Sequence, residues 1–478
     1  MREILLKEVG NWKLEAKLED SSRYFYQVET VARIESGEQS YVVGRKGSGK
    51  TAICEYLFRY RGPKRFTQKL TFKNFPFNEL YSLSNDSYTP PNQYITLWKY
   101  IIYSTIAKLL IDNENIDPDI RKKLGKIYGS DPVTSLSRSI VHWTNKSLNL
   151  SVLGTGISGS VHRSESGNGT PWIERVDILE QILLRYIDDS KYVVVFDELD
   201  EDYKLILENE KYERYNALIT SLFKAVQDIK SVFGHTEAQV LPVLFLRDDI
   251  YDAIKDPDKT KWSDLVVNLE WSSEQIQNLL AFRLSRAVDP KGSILPFDEA
   301  WHLMFSRELV ACGREKQKRR QSFNYIERST MMRPRDFVRY LQDCSKLSLD
   351  LGHTIVRAKS IIRADKAFSN YMRSELEDEL TGLLPEAREV LDIIAHLRKQ
   401  IFRVDQFASA YEKAVDNGIL PKRSVERLLM VLFHFSVIGN QTRQKTNQVF
   451  RYLNREARFN SGEPLCVHRG LFKALQIL

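Results

Sequence analysis

Hydrophobic residues along this chain follow two spacings. Short β-branched runs suited to strands alternate with longer stretches whose apolar positions recur every three or four residues, as on one helix face. The first strand signal is Tyr41-Val42-Val43, and a helix pattern follows over residues 52–58. Residues 68–75 alternate and predict a second strand. Tyr94, Leu97, Trp98, Ile101, Ile102, Ile106, Leu109 and Leu110 predict a helix over 92–112 that packs on a sheet. A helix over 172–187 leads into Lys191-Tyr192-Val193-Val194-Val195-Phe196, a continuous run of the kind a buried parallel strand shows. A helix over 216–229, strands over 240–247 and 265–269, and a helix over 273–287 complete a five-strand alternation.

Beyond about residue 288 the strand signals stop and helices take over. In 385–478 three helix patterns (385–398, 404–415 and 422–435) precede strands over 436–439 and 449–453, around a polar tip at 440–447. Residues 465–468 add a third strand before a short closing helix. Helices followed by a hairpin suggest a winged helix. Its third helix offers Val425, Leu428, Leu429, Val431, Leu432 and Phe433 mainly as core, leaving Lys422, Arg423 and Arg427 to face a groove. DNA reading and protein docking both fit.

The strand at 41–43 runs into Gly44-Arg45-Lys46-Gly47-Ser48-Gly49-Lys50-Thr51, a G-x-x-x-x-G-K-T phosphate loop, with Ala52 continuing as helix. Gly44, Gly47 and Gly49 let successive N–H groups turn into one concavity. The positive end of the following helix favours a polyanion there. Lys50 is placed to reach β- and γ-phosphates, and Thr51 to put its hydroxyl on Mg²⁺. Residues 44–52 thus form the candidate ATP cradle.

The strand at 191–196 ends on Asp197-Glu198, where ligands meet open α/β sheets. Asp197 suits a Walker B metal acid, and Glu198 a general base for the attacking water. Asp200, Glu201 and Asp202 extend the acids or form a solvated loop or cap. Arg247 ends the strand at 240–247. It either reads a γ-phosphate or pairs with Asp248 or Asp249. In Met332-Arg333-Pro334-Arg335-Asp336, proline and aspartate suit a first helical turn, which frees Arg335 to reach bound nucleotide. Arg23-Tyr24-Phe25-Tyr26, upstream of the loop, either flank an adenine or pack in the core. Gly154-Thr155-Gly156-Ile157-Ser158-Gly159 is a literal G-x-G-x-x-G, with Glu174 at ribose-contact distance. Residues 160–169 after it carry no apolar stripe, so the strand-turn-helix of a dinucleotide site is missing. Residues 149–171 read instead as a mobile loop or hairpin insertion.

Composition narrows this picture. The 478 residues suggest about three domains. Hydrophobic content of 42% and a mean hydropathy of −0.37 fit a soluble globular protein. Residues 1–12 mix charges with apolar residues, unlike a signal peptide. The longest apolar stretch, 428–439, falls short of the ~18 residues of a membrane span. Cys54, Cys312, Cys344 and Cys466 are scattered, which suggests a reducing cytoplasm and excludes a C-x-x-C zinc framework. The eight histidines are dispersed, so no nuclease, protease or deaminase constellation forms. A net charge of +7 permits a nucleic-acid partner, and 385–478 holds fifteen Lys/Arg against nine Asp/Glu. The run Arg314-Glu315-Lys316-Gln317-Lys318-Arg319-Arg320 is either solvated surface or a phosphate-backbone contact.

The phosphate loop, Val193 to Glu198, Arg247 and Arg333-Pro334-Arg335-Asp336 together resemble the AAA+/STAND-type P-loop ATPases. The nearest likeness is to the bacterial group that includes KAP and the Orc/Cdc6-like initiators. Phe196-Asp197-Glu198-Leu199-Asp200 and Val467-His468-Arg469-Gly470-Leu471 add to it. The resemblance implies an α/β fold: a parallel five-stranded P-loop NTPase (ASCE/AAA+) core, an α-helical lid and a C-terminal winged-helix domain. On this chain that means an N-terminal segment at 1–35, a core at 36–287, a lid and connector at 288–384 and a winged-helix-like domain at 385–478. It implies ATP and Mg²⁺ as cofactors and a catalytic set of Lys50, Glu198, Arg247 as first sensor and Arg335 as second. Thr51 and Asp197 would hold the metal. An arginine at the first sensor fits STAND better than typical AAA+ members, and Arg283 and Arg286 are arginine-finger candidates by position. The expected function is a regulatory ATPase without a membrane segment, acting as a homo-oligomer with a separate effector, as many such relatives do in prokaryotic defence. A DNA-binding initiator or loader, or a scaffold that holds ATP, are the alternatives.

Overall fold

Strand β1, Tyr41–Gly44, is buried along its whole length and is paired with parallel strands on both sides. In the computed structural model, which describes residues 2–72, 92–129, 172–200, 209–313, 317–442 and 447–477, the chain forms two units. The first comprises Gln27–Arg45 and Lys50–Leu269. Its sheet contains β1, β2 (Arg65–Thr71), β3 (Lys191–Asp197), β4 (Gln239–Arg247) and β5 (Val266–Asn268). All pairings are parallel, in the order β2-β3-β4-β1-β5. This is the five-stranded parallel core expected of an ASCE-type P-loop fold, with β4 standing between the loop strand and the acid strand.

Helices cover both faces, so β3 can be apolar at every position from Tyr192 to Phe196. Trp98, on helix Ile95–Asp112, meets Phe196 edge-on at 6.0 Å and donates its indole N–H to the carbonyl of Leu218 at 2.8 Å. Tyr41 donates to the carbonyl of Phe223, on helix Asn209–Phe233. That helix runs beyond the predicted 216–229 at both ends. Strand β2 begins three residues before the predicted 68–75; residues 73–75 lie outside the described residues. So do the insertion at 149–171 with its G-x-G-x-x-G, Glu201, Asp202 and residues 314–316 of the basic run.

The second unit comprises Met1–Tyr26, Lys46–Gly49 and Glu270–Leu478. Helices Arg2–Gly10, Ser273–Val288, Phe297–Met304, Pro334–Asp350 and Ala358–Leu380 share one apolar core. A capping box between Ser272 and Gln275 starts the helix at Ser273. Tyr24 belongs to this core: it meets Trp12 edge-on and donates to Glu8 at 2.6 Å, which is the packing reading of the upstream aromatics. Arg283 is buried too, paired with Glu19 and lying over Trp12 and Tyr24, so it is consumed by the fold. Helices alone do not account for the region beyond 288. Strands β6 (Val310–Cys312) and β7 (Lys318–Arg320) form an antiparallel ribbon. All three β7 residues are exposed, so it has no alternation to read.

The C-terminal part runs helix Ala387–Leu397, β8 (Ile401–Phe402), helices Val404–Asp416 and Val425–His434, then β9 (Ile438–Gln441), β10 (Gln448–Val449) and β11 (Leu465–Val467). These strands make an antiparallel sheet in the order β10-β9-β11-β8. The predicted strand over 449–453 stops at Val449, because the amides of Leu453 and Asn454 turn back to the carbonyl of Phe450. The predicted strand over 436–439 starts two residues late, since Ser436 (φ 59°) still closes the preceding helix. Asp365 accepts from Tyr325 at 2.7 Å and Tyr340 at 2.6 Å, and Arg469 reaches the same carboxylate at 3.4 Å. A side chain on Gly470 would collide with the carbonyl of Ser329 and the sulfur of Met372, so the closing turn needs glycine there.

One polar network anchors the start of β3. The Asp188 carboxylate accepts from Tyr192 and Ser190 hydroxyls, both at 2.7 Å, and from the Asn113 amide at 3.0 Å. Burial pushes its pKa up, but these hydrogen bonds outweigh that and hold it at about 2. A folded-state pKa below the unfolded one stabilises above the ordinary carboxylate range, and that stability is lost as pH falls through about 2. Asp188→Asn should therefore lower the thermal midpoint at neutral pH, with the gap to wild type closing as the pH is lowered from about 4. Thermal unfolding followed across that acid range checks it; a gap independent of pH would show that the carboxylate charge is not what matters.

Candidate nucleotide site

Gly44, Asp197 and Arg247 lie at the carboxyl ends of three adjacent parallel strands, with Gly44 directly opposite Arg247 in the β1–β4 register. After Gly44 the chain turns through two left-handed glycines, Gly47 (φ 82°) and Gly49 (φ 103°), and enters helix Lys50–Arg59. The Lys50 ammonium donates to the carbonyls of Gly44 at 2.6 Å and Arg45 at 2.9 Å, so it folds back over the start of the loop. Burial lowers its pKa, and Arg247 adds to this; the charges of Asp200, Asp248 and Asp249 oppose it. Thr51 and Ala52, in the first turn of that helix, are half-buried.

Glu198 follows directly on β3 in a left-handed conformation, φ 60°, which costs a non-glycine residue about 1–3 kcal/mol. The strain turns the chain away from the strand axis just where the acids stand. Arg247 makes a two-pronged ion pair with Asp249, at 2.9 and 2.7 Å, and lies 3.8 Å from Asp200. The local pair is thus with Asp249, the second of the two partners weighed from the sequence.

Asp197 has a partner that the sequence did not suggest. Lys69 on β2 places its ammonium 2.9 Å from Asp197 Oδ2 and 2.7 Å from Glu55 Oε1. All three side chains are under 10% exposed. Burial alone would push Lys69 down; Cys54, Asp197 and Glu55 together raise it. Asp197 also acts on Cys54, whose thiol is pushed up by burial and then by that charge. The register explains the meeting: Thr71 is opposite Asp197, and Lys69, two residues back, projects on the same face of β2.

In the helical unit, Lys46–Gly49 are held by the segment around residue 333. Arg333 caps helix Pro334–Asp350 and is buried, with its guanidinium on Asp336 at 3.0 Å, Glu379 at 2.7 Å and the carbonyl of Lys46 at 3.2 Å. Asp336 also accepts from the Met331 amide at 2.9 Å. Burial would lower the Arg333 pKa, but the two carboxylates raise it. Arg335 lies against Gly47: its Cβ is 3.3 Å from where a Gly47 side chain would begin. Its guanidinium pairs with Glu375 at 3.4 Å, and Lys46 reaches the same oxygen at 3.4 Å. Trp271 donates to the Ser48 carbonyl at 2.8 Å. Glu375, Glu379 and Trp271 carry no motif spacing of their own. For Arg333 the available signal was its position as cap residue next to Pro334.

The loop fits a phosphate group on three observations. A Cβ at Gly49 would meet nothing within 4 Å, so the backbone there borders open space. Ser48 Oγ is buried with no hydrogen-bond partner among the described residues. Lys50 stands at the helix N-terminus and donates to two backbone carbonyls of the loop. Mg²⁺ commonly takes one or two protein oxygens and completes its shell with substrate phosphates and water. A hydroxyl and a carboxylate, Thr51 and Asp197, suit that habit. Among the described residues no cluster of three or more His, Cys, Asp or Glu forms an all-protein metal cage.

Residues 274–377, within the helical unit, match the family described as the FunZ-associated C-terminal helical domain. Over 469 residues the chain is 20% identical to the putative transposon gamma-delta 80.3 kDa protein of Escherichia coli (strain K12), covering 91% of this chain. It spans 62% of that relative's length. Among solved structures it is similar to the Orc1 protein of Aeropyrum pernix in complex with DNA, with a TM-score of 0.39, 11% identity and 97% and 96% of the two chains covered. It is also similar to Cdc6p of Pyrobaculum aerophilum, with a TM-score of 0.32, 10% identity and 95% and 93% covered. The strand order β2-β3-β4-β1-β5 and the glycine-turned loop define the fold. No helix among the described residues is long and apolar enough to cross a membrane.

Arg333 neutralises two buried carboxylates, and removing one partner of such a set leaves the others uncompensated. Arg333→Met should destabilise the helical unit by about 3–5 kcal/mol, whereas Arg335→Met, half-exposed and at 3.4 Å from its partner, should cost about 1 kcal/mol or less. Urea unfolding of both variants measures the difference. Equal midpoints would remove Arg333 from its central place.

Proposed function

We propose that the chain is a Mg²⁺-dependent ATPase that works as a nucleotide-driven regulatory switch. One observation carries the reading: a glycine-turned loop with Lys50 at a helix N-terminus and the acids Asp197-Glu198 stand at the same carboxyl edge of one parallel sheet. Open α/β sheets bind ligands at that edge. In this reading the backbone N–H groups of residues 44–52 and Lys50 bind the phosphates. Thr51 and Asp197 hold the metal, and Glu198 orients and polarises the attacking water. Mg²⁺, held by those residues, would offset the negative charge that develops during phosphoryl transfer. Arg247 at the tip of β4 serves as the first sensor, exchanging Asp249 for the γ-phosphate. Arg335, against Gly47 of the loop, serves as the second, exchanging Glu375 for phosphate. A homo-oligomer and a separate effector, as in prokaryotic defence, rest on the STAND resemblance.

The alternative is an ATP-dependent DNA-binding initiator or loader. The C-terminal order helix, strand, helix, helix and then three strands, closed as an antiparallel sheet, supports a winged-helix reading. Its third helix buries Leu428, Leu429, Leu432 and Phe433, while Lys422, Arg423 and Arg427 are exposed. Arg423 is already paired with Glu386 at 3.0 Å, which weakens the groove-facing charge and favours the switch. Steep loss of duplex affinity with added salt would favour the initiator.

Glu198→Gln keeps the shape and removes the base. ATP turnover should fall by roughly 10²–10⁴-fold while ATP binding is retained. Steady-state phosphate release and equilibrium ATP binding, measured on the same preparation, check this. Turnover equal to wild type would point instead to a scaffold that holds ATP without cleaving it.

A further inference from the structure

The chain Asp197–Lys69–Glu55–Arg59 is not explained by phosphate binding. Lys69 comes from β2, Asp197 from the tip of β3, and Glu55 and Arg59 from the helix that follows the loop. Glu55 uses both oxygens, one for Lys69 at 2.7 Å and one for Arg59 at 3.1 Å, so it is fixed in place. It also stands four residues after Thr51, one turn along the same helix face. A single ammonium therefore ties the helix that carries Thr51 to the strand that carries Asp197.

From this geometry we infer that Lys69 is a positioning residue for the divalent metal, acting through Asp197. The inference rests on the ATPase reading above and deepens it. Lys69 engages Oδ2 of Asp197, and Mg²⁺ needs only one carboxylate oxygen, taken directly or through water. Two opposite effects are open to a lysine in this place. As a like charge it would repel the metal; as an ion-pair partner it would hold the ligand ready. Glu55 decides between them: at 2.7 Å it makes Lys69 half of a nearly neutral pair, so little repulsion extends beyond it. What remains is the grip on Asp197. Groups that orient a metal ligand are worth roughly 10–100-fold in metal affinity.

The test is binding of a non-hydrolysable ATP analogue to the full chain by calorimetry, in Mg²⁺ and in EDTA. In Lys69→Met the ratio of the two affinities should fall by roughly 10–100-fold, with the EDTA affinity unchanged. Lys69→Arg, which keeps a donor, should restore part of it. Should Lys69→Met fail to fold, Glu55→Gln serves in its place: it removes the second anchor of Lys69 and should lower the ratio by a smaller factor. A purely structural pair would weaken binding equally in both buffers. A competing cation would raise the ratio on removal. Either result, or an unchanged ratio, overturns the role of Lys69. A wild-type chain that does not bind the analogue overturns the ATPase reading itself, and the role of Lys69 with it.

Discussion

A carboxylate at the end of a strand covered on both faces has to be neutralised, and in this chain that constraint shapes the acid edge of the sheet. Five apolar residues of β3 are buried before Asp197, which is itself buried. An isolated charge there would cost several kcal/mol. Lys69 answers it from the neighbouring strand, and Glu55 shares the lysine with the helix behind the phosphate loop. Parallel pairing makes this meeting possible, because it brings Thr71 level with Asp197 and leaves Lys69 on the matching face. The same parallel order puts Gly44 and Arg247 side by side at that edge.

The helical unit solves a similar problem in the same way. Arg333 is a buried cation shared by two carboxylates, Asp336 in its own helix and Glu379 on the next. Its remaining reach goes to the carbonyl of Lys46. Arg335 and Lys46, by contrast, share one half-exposed carboxylate at longer range, Glu375. Tight buried sets suit structure, and loose shared ones suit exchange for another anion. That difference suits Arg335, rather than its buried neighbour Arg333, to the sensing role proposed above.

How much of this could be read beforehand follows from the range of each interaction. The strands at 41–43, 191–196 and 240–247, the helix at 92–112 (its α-helical part beginning at Ile95) and the phosphate loop announce themselves through local periodicity and spacing, and the sheet forms as that pattern predicts. Strands β7 and β8 did not, because three exposed basic residues, or two residues alone, carry no period. The end of β10 depended on a turn closing on Phe450, a backbone event with no side-chain signature. Lys69, Glu55, Glu375 and Glu379 were invisible for another reason. Each acquires meaning only from a partner brought to it by register or helix packing, as when β2 aligns with β3.

The most direct measurement is a crystal structure of the chain with a non-hydrolysable ATP analogue and Mn²⁺ in place of Mg²⁺, with the manganese located by its anomalous signal. The expected result is one anomalous peak beside Thr51 Oγ1 and the Asp197 carboxylate, with the triphosphate lying along the loop and against Lys50. A peak remote from Asp197, or a nucleotide that leaves Lys50 on its two carbonyls, would contradict the assignment of this edge as the site of ATP hydrolysis.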